Sequence, residues 1–86
     1  MNYLDINPKA IDPALNAVAI IPADFVILDT IAKSIYVGGD GDISVIMAND
    51  NTNTPILFKN AGGFMPIMIK CVMSTNTNAF NIIGLY

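Results

Sequence analysis

Seven aspartates and four lysines are the only charged side chains of this 86-residue chain, and Cys71 is its only thiol. No His, Arg, Glu, Gln or Trp occurs anywhere. Without His, a Ser-His-Asp or Cys-His device is impossible, and so is an imidazole metal site. One cysteine cannot build a thiolate zinc site. Without Arg there is no bidentate clamp for carboxylate or phosphate. A Lys or Asp could still act as a base, but an active site needs several convergent groups and few are on offer. The expectation is a protein that is not an enzyme and holds neither metal nor cofactor.

Gly38-Gly39-Asp40-Gly41-Asp42 is the segment that most invites a chemical reading. As a phosphate loop it lacks the Lys-Ser/Thr pair and the following helix. As a calcium loop it offers Asp40 and Asp42, with Asp50 from the next loop, but not the spaced oxygens ending in Glu that calcium takes. A hairpin turn is the simpler reading, because Gly and Asp supply the positive φ such turns demand. Cys71 lies in the apolar run Ile67 to Met73 and reads as a small buried hydrophobe. A single cysteine excludes an intrachain disulfide and suits synthesis in a reducing cytosol.

Against this sparse chemistry stands a 53% hydrophobic composition. A single domain of this size buries only about 60–65% of the surface its unfolded chain exposes. Some apolar surface must therefore stay outside the core, and a contiguous patch usually marks a partner. Lys9, Lys33, Lys59 and Lys70 are the only cations, and net charge is −3. That is no footprint for nucleic acid, nor for an anionic membrane surface. The N-terminus lacks the charged and apolar regions of a signal peptide. The longest apolar stretch, Ala17 to Leu28, is interrupted by Pro22 and Asp24 and is too short to span a bilayer. A soluble chain is expected.

The missing Glu and Gln also bear on structure, since helical surfaces favour both. Asn, Asp, Thr and Ser fill the polar positions and favour turns, while Ile and Val dominate the apolar set and favour strands. The pattern predicts an all-β fold: a small antiparallel β-sandwich or barrel, jelly-roll-like, of about six to eight short strands. Residues 1–23, with Pro8, Pro13 and Pro22, predict an extended N-terminal arm with at most one helical turn near Pro13 to Val18. Residues 24–86 form the β domain. Its expected strands are Asp24 to Asp29, Ser34 to Val37, Asp42 to Met47, Ile56 to Lys59, Phe64 to Met73 and Ala79 to Tyr86. The expected turns are Gly38 to Gly41, Asn49 to Thr54, Asn60 to Gly63 and Ser74 to Asn78. On the longest strand, Met65, Ile67, Ile69, Cys71 and Met73 share one face, with Met68 opposite.

The apolar residues left over are candidates for an oligomer or partner interface: Val18, Ile20, Ile21, Ile46, Met68 and Tyr86. A competing reading is a small ligand-binding module that takes glycans through Asn49 to Asn53 and Thr75 to Asn78.

Three stretches carry a family resemblance. They are Ser34-Ile35-Tyr36-Val37-Gly38-Gly39-Asp40-Gly41-Asp42, then Ile56-Leu57-Phe58-Lys59-Asn60, then Gly63-Phe64-Met65-Pro66-Ile67 with Ile69 and Val72. The ending Asn81-Ile82-Ile83-Gly84-Leu85-Tyr86 adds a fourth. In order and spacing these resemble a small virion-protein family of tailed bacteriophages and gene transfer agents, described as spike base proteins of the head. The resemblance implies a structural protein on the outside of a capsid, made in the host bacterial cytoplasm and acting as head-spike base or as decoration (cement) protein. The implied partners are the major capsid protein, further copies of the chain as a trimer or pentamer, and a spike or fibre protein mounted on it. The family has no catalytic residues to transfer.

Overall fold

The computed structural model describes residues 13–86, so most of the expected arm lies outside the described residues. The described chain is all-β and antiparallel, with no helix among the described residues. Five strands make one sheet rather than six to eight strands in a sandwich or closed barrel. They are β1 (Ala17–Ala19), β2 (Ser34–Met47), β3 (Ile56–Met65), β4 (Ile69–Val72) and β5 (Phe80–Leu85).

The 14-residue β2 is the spine. One side carries β3, its hairpin partner. The other side carries β4 beside residues 45–47 and β5 beside residues 34–39. Both run antiparallel to β2, so residues 69–85 act as one long partner strand interrupted between Val72 and Phe80. β1 adds the last strand outside β5. No helical turn forms at Pro13 to Val18, because Asn16 and Tyr86 exchange backbone hydrogen bonds at 3.1 and 2.8 Å and hold this stretch extended.

Two of the expected turns are not turns. Gly38 to Gly41 lies inside β2, and Asn60 to Gly63 lies inside β3. Ser74 to Asn78 does turn the chain, but as an interruption between β4 and β5. All three segments lie at one level across the sheet and form a transverse crease. Both shifts in the β2–β3 register occur there, between Val37 and Gly41 and between Gly41 and Ile43. Asn60, Gly63, Asn76 and Asn81 take positive φ beside it. Bulges of this kind bend a strand and raise its twist. The glycines of β2 serve close approach instead of a turn. A Cβ on Gly39 would strike the Phe80 ring, and one on Gly41 would strike Asn78 and the backbone of Ala79.

The core runs along both halves of the creased sheet. Ile35, Val37, Ile43, Val45, Ile69, Val72 and Ile82 pack in one cluster with Ile20 and Ala32. A second, smaller cluster of Ile46, Cys71 and Met73 lies on the opposite face. Ile69 and Cys71 do not share a face as strand alternation predicts. A bulge between Ile46 and Met47 pairs Met47 with Ile69 instead of Lys70, and sends Ile69 to the main cluster. Pro66 also splits the expected long strand, since it offers no ladder donor.

The expected strand Asp24 to Asp29 is a loop strapped to β4. Ala23 N–H donates to the Val72 carbonyl and Leu28 N–H to the Lys70 carbonyl. Four residues of loop, Asp24 to Ile27, thus lie between these anchors against one residue of strand, Cys71, and all four are exposed.

Candidate interaction surface

Cross-strand register assembles an apolar row on the surface. Ala19 lies opposite Ile83, Ile83 opposite Tyr36, and Tyr36 opposite Phe64. Directly opposed residues of an antiparallel pair point to the same face. These four side chains therefore make one row across β1, β5, β2 and β3. The neighbouring residues Ile35, Gly84 and Met65 point the other way, toward the core. The row carries no charge, and its aromatic members are well exposed, Tyr36 at 48% and Phe64 at 55%.

A second apolar feature is the loop from Ile21 to Ile31. Phe25, Val26 and Ile27 are consecutive and exposed, and Ile21 is 86% exposed. The loop is anchored rather than loose. The Asp24 carboxylate accepts from Ser74 N–H and Thr75 N–H at 2.9 Å each, and from the Thr75 hydroxyl. These bonds stabilise the ionised carboxylate and hold its pKa below the usual value of 3.8. Phe25 N–H approaches Met73 Sδ at 3.5 Å, and Phe25 itself has φ 58°, a costly conformation for a bulky residue. Between this loop and β1 lies an open groove of about 470 Å³ lined by Val18, Ile20, Ile21, Leu28 and Tyr86, with Asp29 and Thr30 among its polar edges.

The residues expected to form an interface divide accordingly. Val18, Ile21 and Tyr86 meet at this groove, with Ile20 in its buried wall. Met68 is 36% exposed and stands apart, beside Ile31, Met47 and Pro66. Ile46 is fully buried and offers no surface. Alternation places it on the face away from Val45, where it packs with Cys71 and Met73, and the backbone of Ala23 and Phe25 contacts those two residues. Sequence reasoning passed over Tyr36, Phe64 and Ile83. The usable signal was their alternation with core residues, which becomes a surface row only once the register is known.

The chemistry-bearing residues have structural duties. The Asp42 carboxylate accepts from Asn60 N–H at 3.0 Å. Asp42 N–H donates to Asn78 Oδ1 at 2.6 Å, and the Asp42 carbonyl accepts from Asn78 and Ala79. Asp42 is thus the knot that ties β2 to β3 and to the turn before β5 at the crease. Asp50 lies beyond the end of β2 in the connection to β3, and no group of three or more metal-ligating side chains converges among the described residues. Cys71 is buried, with Sγ 3.6 Å from the Ala23 carbonyl and 3.8 Å from Met73 Sδ. Burial pushes its thiol pKa up. The loops considered for glycans are also engaged: Thr77 Oγ1 accepts from Ser44 N–H, Asn78 Oδ1 from Asp42 N–H, and Asn51 Oδ1 from Asn53 N–H.

Among the described residues no helix is long and apolar enough to cross a membrane. No family model and no curated protein matches the chain. Among solved structures it is similar to a chain from the capsid of a native GTA (gene transfer agent) particle computed with C5 symmetry. The TM-score is 0.78, at 18% sequence identity and with 100% of both chains covered. At that identity the likeness is one of fold.

Proposed function

We propose that this chain is a virion structural protein on the outside of a tailed-phage or gene-transfer-agent capsid, where it acts as a head-spike base or decoration protein. The observation that carries the reading is the likeness in fold to a capsid-particle chain, over 100% of both chains. The surface favours the same reading. Its exposed features are an uncharged apolar row and an anchored apolar loop, which suit packing against other protein. Its aspartates and asparagines at the crease are occupied in holding the sheet together. The proposed partners are the major capsid protein and further copies of the chain, as a trimer or pentamer, with a spike or fibre above. Val18, Ile21, Met68 and Tyr86 are proposed contacts. The glycan-binding alternative loses ground, because Thr77, Asn78 and Asn51 already spend side-chain oxygens on the backbone.

Electron microscopy of particles assembled without this chain tests the proposal. Loss of discrete outer density, restored when the chain is supplied, is expected. A complete outer surface on such particles would overturn it.

A further inference from the structure

Among the described residues the sheet has two free edges, and they match each other. Across the path β1-β5-β2-β3 every neighbour is antiparallel, so four strands leave edges of opposite direction. An operation that carries the sheet sideways onto a second copy, without reversing it, sets β1 of one copy antiparallel to β3 of the next.

Hydrogen-bond parity agrees. Asn16 and Tyr86 exchange both backbone bonds, so Val18 and Gly84 do the same two residues on. The N–H and C=O groups of Ala17 and Ala19 then point away from β5, into the open edge. Carrying the alternation across the sheet, Ile83 bonds Tyr36, while Ile35 and Val37 bond Met65 and Gly63. That leaves the N–H and C=O of Phe64 pointing outward from β3. Ala19 and Phe64 are the two ends of the exposed apolar row. Had the parity been opposite at either edge, these two residues could not bond each other.

We infer that β3 of one copy adds to β1 of the next, with Phe64 opposite Ala19 as a hydrogen-bonded pair, so that the chain assembles head to tail through a shared sheet. The occupant of each edge is thus a second copy of this chain. The row Ala19–Ile83–Tyr36–Phe64 then continues from copy to copy, and the small Ala19 leaves room for the Phe64 ring beside it. An open edge with outward backbone groups is a template for such pairing. β3 carries one charge in ten residues, Lys59, and no proline within the strand, while Pro66 just after it falls opposite Ala17, offers only its carbonyl there and bounds the pairing on that side. The positive φ of Asn60 and Gly63 confines regular pairing to the end of β3 that holds Phe64. This inference stands apart from capsid attachment, because the purified chain alone tests it.

The test uses native mass and amide exchange. The wild-type chain should give a defined multiple of its 9.2 kDa protomer. The amides of Phe64, Ala17 and Ala19 should exchange slowly, although the described residues of one chain give them no backbone partner. Ala19→Pro removes an outward N–H without touching the β1–β5 ladder, and Val18 before it is already extended. Phe64→Pro does the same at β3, and Phe64→Lys serves if the proline variant does not fold. Each variant alone should be monomeric. A mixture of the two keeps one intact edge of each kind and should give a dimer that grows no further. A monomeric wild type, fast exchange at Phe64 and Ala19, an unchanged mass for Ala19→Pro, or a mixture that stays monomeric would each overturn the inference.

Discussion

The crease depends on Gly41 more than on any other glycine. A Cβ there would clash with Asn78 Oδ1 and sit 2.8 Å from the Ala79 nitrogen and 3.0 Å from its Cα. Two of these three atoms are backbone and are themselves held, since Asn78 and Ala79 both donate to the Asp42 carbonyl. Gly41→Ala must therefore displace the turn that joins β4 to β5. Overpacking of this kind costs about 1–3 kcal/mol. Weakening the Asp42–Asn78 bonds adds about 1 kcal/mol. A total of roughly 2–4 kcal/mol lowers the Tm of a chain this size by about 10–30 °C. Thermal and urea unfolding at equal protomer concentration would read the change. Gly39→Ala is the control: the ring it meets belongs to Phe80, a side chain 61% exposed and free to swing aside, so its cost should stay below about 1 kcal/mol. Gly41→Asn separates close approach from a turn. A turn with positive φ would welcome Asn, whereas a tight contact rejects it more strongly than Ala. If Gly41→Asn proved as stable as wild type while Gly41→Ala did not, the account of the crease would be refuted.

Other substitutions probe the rest of the fold. Gly63 has φ 70°, and a Cβ there would meet nothing within 4 Å, so Gly63→Ala should cost about 1–2 kcal/mol through backbone conformation alone, and Gly63→Asn less, both read from urea unfolding. Asp24 has a folded pKa below 3.8, so it contributes stability in full above that value and loses it as pH falls through the folded pKa. The Tm gap between wild type and Asp24→Asn should be widest near neutral pH and narrow below 3.8; a gap independent of pH would contradict the three bonds assigned to this carboxylate. Buried and with a raised pKa, Cys71 should react with a thiol reagent only as the chain unfolds, and prompt labelling of the native protein would place it elsewhere. Phe25→Gly relieves a positive φ worth about 1–2 kcal/mol and should be neutral or stabilising; clear destabilisation in a melting curve would mean that the ring is packed.

The fold class was legible because composition speaks to it directly: a chain without Glu or Gln and rich in Ile and Val has little with which to build a helix. The alternation of Ile35 and Val37 and of Ile43 and Val45 marked the core face, and the Asn-rich connection after Met47 marked the β2–β3 loop. The crease was not legible. Gly38 to Gly41 and Asn60 to Gly63 carry the residues of turns, and only tertiary contacts reveal that their missing side chains make room for Phe80, Asn78 and Asp40. The bulge beside Met47 was equally hidden, since one shifted pair moves Ile69 away from Cys71 without any change of composition. Ile46 looked like a free outer residue because strand alternation does not disclose that the backbone of Ala23 and Phe25 returns to that side of the sheet, against Cys71 and Met73. The surface row needed register as well, for Ala19, Ile83, Tyr36 and Phe64 are scattered in sequence and meet only across four strands.

The central claim, that this chain works by being packed onto a capsid, is tested most directly by adding the purified protein to shells assembled without it and sedimenting them. Saturable co-sedimentation at a fixed ratio to the major capsid protein, with new density on the outer surface, is the predicted result. Shells that sediment free of the chain at every concentration, while the chain itself remains folded and assembled, would contradict it.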